Sequence, residues 1–138
     1  MLFHISDDGK SISLKWKNKV PDTHHGGLVL INGAIYGSTM VDNTRGHWAS
    51  VDWETGKTNW EKEWFTIGSV ISAEGKLYFY EEKGGHIAHV APDSGDLKII
   101  STFQVKGDEG PHWAHPSIYN KMLLIRHGSV LMVYDIGN

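Results

Sequence analysis

Ser50-Val51-Asp52-Trp53-Glu54-Thr55-Gly56-Lys57-Thr58-Asn59-Trp60 spells out a strand, a turn and a second strand. Val51 and Asp52 end an alternating apolar run. Glu54-Thr55-Gly56-Lys57 follows as a tight polar turn, because Gly takes the positive φ that other residues resist. Trp60, four residues past Gly56, then offers a large flat side chain to a neighbour. The same grammar returns along the chain, and repetition is a stronger clue than any single residue.

Composition narrows the class. The 138 residues suffice for one domain with a core of its own. Sixteen Gly against four Pro, with abundant Trp, Tyr, Val and Ile, favours strands and tight turns. A net charge of −3 gives no basic footprint for nucleic acid. The lack of Cys excludes disulfides, thiolate metal sites and cysteine nucleophiles. No run of about 18 apolar residues is available to span a membrane. The opening Met1–Ile5 run is too short for a signal peptide.

Working outward, Leu2–Ile5 and Ser11–Lys19 flank an Asp7-Asp8-Gly9-Lys10 turn. Ile12, Leu14 and Trp16 share one face by period-two alternation. Leu28–Ile31 and Ala34–Tyr36 enclose Asn32-Gly33, a strong hairpin signal because a type I′ turn needs positive φ twice. His47–Asp52 and Thr58–Trp64 complete a four-stranded up-and-down unit. A second unit runs through Ser69–Ala73, Lys76–Tyr80, His86–Val90 and Leu97–Val105. A third begins with Pro116–Tyr119, Met122–Ile125 and Val130–Asp135. First-hairpin turns at Gly33, Gly75 and Lys121 lie 42 and 46 residues apart. The later turns at Gly9, Gly56, Gly95 and Gly137 are spaced 47, 39 and 42. A four-stranded unit every 40–45 residues or so is the period of a β-propeller blade. No segment keeps a 3.6-residue period, so the expectation is an all-β propeller fragment without helices.

The Ser50–Trp60 stretch resembles the repeat of PQQ-like, quinoprotein-type propellers, Ala-x-Asp-x-x-Thr-Gly-x-x-x-Trp. Ser50 stands for the Ala, and Asp52, Thr55, Gly56 and Trp60 match. The copy from His89 to Ile99 is degenerate: Ser94-Gly95 keeps the turn, Ala91 replaces Asp and Ile99 replaces Trp. Val133-Tyr134-Asp135 begins a third copy. From His24-His25-Gly26-Gly27 onward, the chain also resembles the C-terminal part of bacterial PQQ-binding-like or outer-membrane-assembly-like repeat proteins. Gly110-Pro111-His112-Trp113-Ala114-His115-Pro116 is the most distinctive segment of that likeness. The resemblance implies that Trp60 docks between blades, that Asp52 and Gly56 build the turn, and that the full-length protein is periplasmic or outer-membrane-associated. It also implies seven or eight blades in a complete ring. This chain supplies a half blade (1–19), two blades (26–64 and 68–105) and a partial blade (114–138). Something must close such an open fan, and a homodimer pairing Ile12, Leu14 and Trp16 with Val130, Met132 and Tyr134, or with their alternating neighbours depending on register, is the expected device.

Two site readings stand side by side. Seven of the nine His fall in loops: His24, His25, His47, His86, His112, His115 and His127. His24, His25, His112 and His115 form a metal site if their equivalent inter-blade loops converge, since imidazole suits zinc, copper or nickel. Otherwise they are polar loop residues bonding the backbone of Gly-rich turns. Trp48, Trp53, Trp64 and Trp113 offer stacking surfaces for a flat cofactor such as PQQ, but Trp in a propeller more often packs between blades. The quinoprotein dehydrogenases use adjacent Cys near their cofactor, and this chain has none. Asp52 and Asp135 read as caps of turn amides. No catalytic constellation stands out. The expectation is therefore a non-catalytic binding or scaffold module without a cofactor, possessing a protein or self partner; a PQQ-dependent dehydrogenase, or a remnant of one, is the alternative.

Overall fold

The computed structural model describes residues 1–137; Asn138, the last residue of the expected partial blade, lies outside them. Thirteen strands form four antiparallel sheets, and no helix occurs among the described residues. No helix is therefore long and apolar enough to cross a membrane. β1 (Leu2–Ile5) and β2 (Ile12–Trp16) make a two-stranded sheet. β3 (Val29–Ile31), β4 (Ala34–Met40), β5 (Gly46–Asp52) and β6 (Thr58–Glu63) pair in chain order, as do β7 (Gly68–Ala73), β8 (Lys76–Glu81), β9 (His86–Ala91) and β10 (Lys98–Gln104). β11 (Ser117–Tyr119), β12 (Met122–His127) and β13 (Val130–Asp135) form a three-stranded sheet. The arrangement is a propeller-like fragment with two four-stranded blades.

Local chemistry explains the hairpins. Asn32 and Gly33 have φ of 51° and 75°, Glu74 and Gly75 have 50° and 72°, and Asn120 and Lys121 have 47° and 61°. Two positive φ values in succession twist the turn with the strands it joins. Lys121 adopts the left-handed region without the freedom of Gly.

Sheet faces alternate between neighbours. Ala34, Tyr36, Trp48 and Trp60 of one blade share a core with Val70, Leu77, Phe79, Ala88 and Val90 of the next. Trp48 lies flat on Phe79, with ring centroids 4.0 Å apart. The opposite face of β8 and β9 presents Tyr78, Tyr80 and Ile87 to Leu123 and Ile125 of the third sheet. Trp60 is 6% exposed, lies 6.0 Å from the Tyr36 ring and donates its indole N–H to the Asp93 carbonyl at 2.8 Å. In the turn it follows, Asp52 Oδ1 accepts from the Thr55 amide and hydroxyl, both at 2.7 Å.

A bulge in each outer strand changes what the alternation implied. Trp60 pairs with Ser50 and Thr58 with Val51, leaving Asn59 as the extra residue. Trp16 pairs with Leu2 and Leu14 with Phe3, leaving Lys15 extra. Adjacent residues of a strand point to opposite faces, so Trp16 faces with Leu2 and away from Leu14. Trp16 therefore does not share the face of Ile12 and Leu14. It turns inward and donates its N–H to the Trp53 carbonyl at 2.9 Å. A Cβ on Gly56 would stand 2.4 Å from Trp16 Cδ2, so the turn glycine also admits the ring. The same register pairs Ser101 with His89 and Ile99 with Val90. Ser101 thus stands in the place of Trp60, correcting the assignment of Ile99 made on spacing alone. The intervening turn is two residues longer than its counterpart, which spacing could not reveal.

Candidate functional site

Strand order brings the loops that join successive sheets to one end of the fan, together with the β4–β5, β8–β9 and β12–β13 connections. A buried carboxylate organises this face. Glu81 ends the apolar run of β8 and is 1% exposed. Its Oε1 accepts from the Thr66 hydroxyl at 2.5 Å and the Lys83 amide at 2.8 Å. Its Oε2 accepts from the Gly84 amide at 2.7 Å and lies 3.0 Å from His86 Nδ1. Burial pushes the Glu81 carboxyl upward, but Thr66, His86 and the two amides outweigh it and hold the group below its ordinary value. Two partners on each oxygen saturate the carboxylate. Glu81 is an anchor for the turn, not a free acid or base.

Aromatic rings spread outward from this anchor. His86 stacks on Phe65 with centroids 3.7 Å apart, and Phe65 meets Trp64 edge-on at 5.1 Å. Phe65 has φ of 52°, a left-handed conformation unusual for an aromatic residue, and stays 48% exposed. On the other side of the anchor, His25 Nε2 lies 3.4 Å from Glu82 Oε2, and the His25 ring meets Trp113 edge-on at 5.8 Å. Trp113 is 61% exposed.

A second network lies beneath. Tyr80 Oη is 2.6 Å from His112 Nδ1, and the His112 ring stacks on His127 at 3.7 Å. Burial holds the Tyr80 hydroxyl protonated by raising its pKa, so it donates to His112. Burial, then the neighbouring His127, lowers the His112 pKa. His127 Nδ1 accepts from the Asp108 amide at 3.0 Å, and Nε2 donates to the Gly110 carbonyl at 2.8 Å, which fixes its tautomer. His112 lies in the loop between β10 and β11, whereas His127 ends β12 and bonds to that loop; His127, His47 in β5 and His86 in β9 thus belong to strands and not, as expected, to loops.

The two His-bearing loops touch: His115 Nε2 lies 3.3 Å from the Gly26 carbonyl, and His25 meets Trp113. The four histidines nevertheless do not gather round a point. His112 is buried against Tyr80, His25 leans on Glu82, His115 addresses backbone, and His24 is exposed. Among the described residues no group of three or more His, Cys, Asp or Glu side chains is placed to hold one metal ion. Of the four Trp considered for a flat cofactor, Trp48 is fully buried in the inter-blade core and Trp64 packs beside it at 6.0 Å. Sequence reasoning passed over Glu81, Phe65 and Tyr80. The signal for Glu81 was a charged residue directly continuing Leu77-Tyr78-Phe79-Tyr80, where solvent exposure is least expected. Neither models of known protein families nor curated proteins give a match to this chain.

Proposed function

We propose that this chain is a non-catalytic module of the PQQ-like propeller repeat type, binding a protein partner through its loop face. The observation that carries the reading is a pairing of opposites on that face. Phe65 and Trp113 are exposed aromatic anchors of the kind that dominate interfaces, while the ionisable groups beneath them are committed to internal bonds. Glu81 is saturated by internal hydrogen bonds, and both ring nitrogens of His127 are bonded to backbone. The test is a paired one. A Phe65→Ala, Trp113→Ala double variant is expected to keep its circular dichroism spectrum while losing partner capture. A tight, stoichiometric complex with PQQ and calcium, seen by absorbance, would instead establish the dehydrogenase reading.

The end faces favour self-association as part of this function. Phe3 pairs with Leu14 and Ile5 with Ile12, and all four are 47–66% exposed. At the other end Leu131 and Val133 are 61% and 55% exposed. In the two complete blades the corresponding faces are covered by a neighbour. A second copy covers both ends in one isologous arrangement. Light scattering that returns the monomer mass of 15.4 kDa at micromolar concentration would overturn the dimer.

A further inference from the structure

Three equivalent slots lie along the fan, each beneath the residue that follows a bulge in an outer strand. Trp16 fills the first, over Gly56, with its N–H on the Trp53 carbonyl. Trp60 fills the second, with its N–H on the Asp93 carbonyl. Ser101 stands at the third, where the register demands the same position. Its acceptor turn is also in place. The Trp53 amide bonds the Gly33 carbonyl at 3.0 Å, and the Ile136 amide bonds the Lys121 carbonyl at 2.9 Å, so Ile136 occupies the place of Trp53.

The hydroxymethyl of Ser101 leaves this slot open. A cleft of about 360 Å³ opens here, its walls including Tyr78, His89, Ser101, Phe103 and Ile136. Beside the slot that Trp16 occupies, the remaining space is only about 90 Å³. The open volume falls within the roughly 300–1,000 Å³ range of small-molecule pockets. Its wall is aromatic, since Tyr78 stacks on His89 at 4.9 Å with planes 16° apart. His89 also carries an unmet polar group. In the preceding blade Ser50, its counterpart, receives the Asn59 amide at 3.1 Å. The counterpart of Asn59 is Ile100, which cannot donate, and His89 Nε2 is buried without a hydrogen-bond partner among the described residues.

We propose that this third slot binds an indole-type aromatic ring as a small-molecule ligand. The ring lies against Tyr78 and His89, as the Trp60 ring lies near Tyr36, and its N–H is directed to the turn at Ile136. Glu74 and Lys76 on the rim offer opposite charges to the ammonium and carboxylate of an indole-bearing amino acid. This site is separate from the loop face and does not depend on its function.

The experiment titrates the full chain with free indole and with free L-tryptophan, by calorimetry and by amide-resolved NMR. Saturable one-to-one binding is expected, with shifts concentrated at Ser101, His89 and Ile136. Tighter binding of L-tryptophan assigns its charges to Glu74 and Lys76, whereas tighter binding of indole assigns the bare ring; both support the slot. Ser101→Trp supplies the ring covalently, and should raise the melting temperature and weaken binding at least about tenfold. Should that variant fail to fold, His89→Ala removes one aromatic wall of the slot and should weaken binding severalfold. Absence of saturable binding at millimolar indole would overturn the proposal, as would shifts confined to residues outside the slot. Undiminished affinity in a folded Ser101→Trp would do the same.

Discussion

Trp60→Ala tests the inter-blade docking on which the fan depends. The Trp60 side chain is almost wholly buried, and an aromatic of this size buries on the order of 200 Å². At about 25 cal/mol per Å² that burial is worth about 5 kcal/mol. The lost N–H bond to Asp93 adds up to about 1 kcal/mol, because the Asp93 turn is only partly buried and water can replace the donor. Partial collapse of the cavity brings the expected cost to about 3–5 kcal/mol, the range seen for large-to-small aromatic deletions. Domains commonly have about 5–15 kcal/mol of stability, so the variant should lose much of it or fail to fold. Urea unfolding followed by circular dichroism measures the change, with Trp113→Ala as the control. Trp113 is 61% exposed and should cost under about 0.5 kcal/mol. If Trp60→Ala is too unstable to purify, Trp60→Phe retains most of the ring and should cost about 1–2 kcal/mol, chiefly the hydrogen bond and a smaller void. Equal midpoints for Trp60→Ala and Trp113→Ala would refute the docking argument.

Lys121→Gly should stabilise the chain by about 1 kcal/mol, because it relieves a left-handed φ of 61° that the matching turns assign to Gly33 and Gly75; an unchanged or lower urea midpoint would count against strain there. Stability should also fall as the pH drops below about 6.5. His112 and His89 both have pKa values lowered first by burial, so the unfolded chain binds protons at a higher pH than the folded one. A separate loss follows below about 4.5, where Glu81, held below its ordinary value in the fold, becomes protonated. Imidazole titration by NMR with a His112 midpoint above 6.5 would reverse the sign of the first effect.

Much of this architecture is local and therefore legible in the chain. Asn32-Gly33 and Glu74-Gly75 fix hairpins through backbone conformation, and the 40–45-residue recurrence of such turns marks blades whatever surrounds them. The continuous apolar run Leu77-Tyr78-Phe79-Tyr80 of β8 likewise fits a strand buried on both faces. Contacts between blades belong to another class of information. One extra residue in an outer strand reverses the face of everything beyond it, yet Lys15, Asn59 and Ile100 share no residue type that would betray a bulge. Spacing therefore put Trp16 on the wrong face and Ile99 where Ser101 belongs. The loops show the same limit. His112 and His115 are three residues apart and look alike as ligands, but one is buried against Tyr80 while the other reaches the Gly26 backbone. The partners that decide their roles, Tyr80 in β8 and the Gly26 loop, lie 32 and 89 positions away along the chain, and only the packed blades bring them within bonding distance.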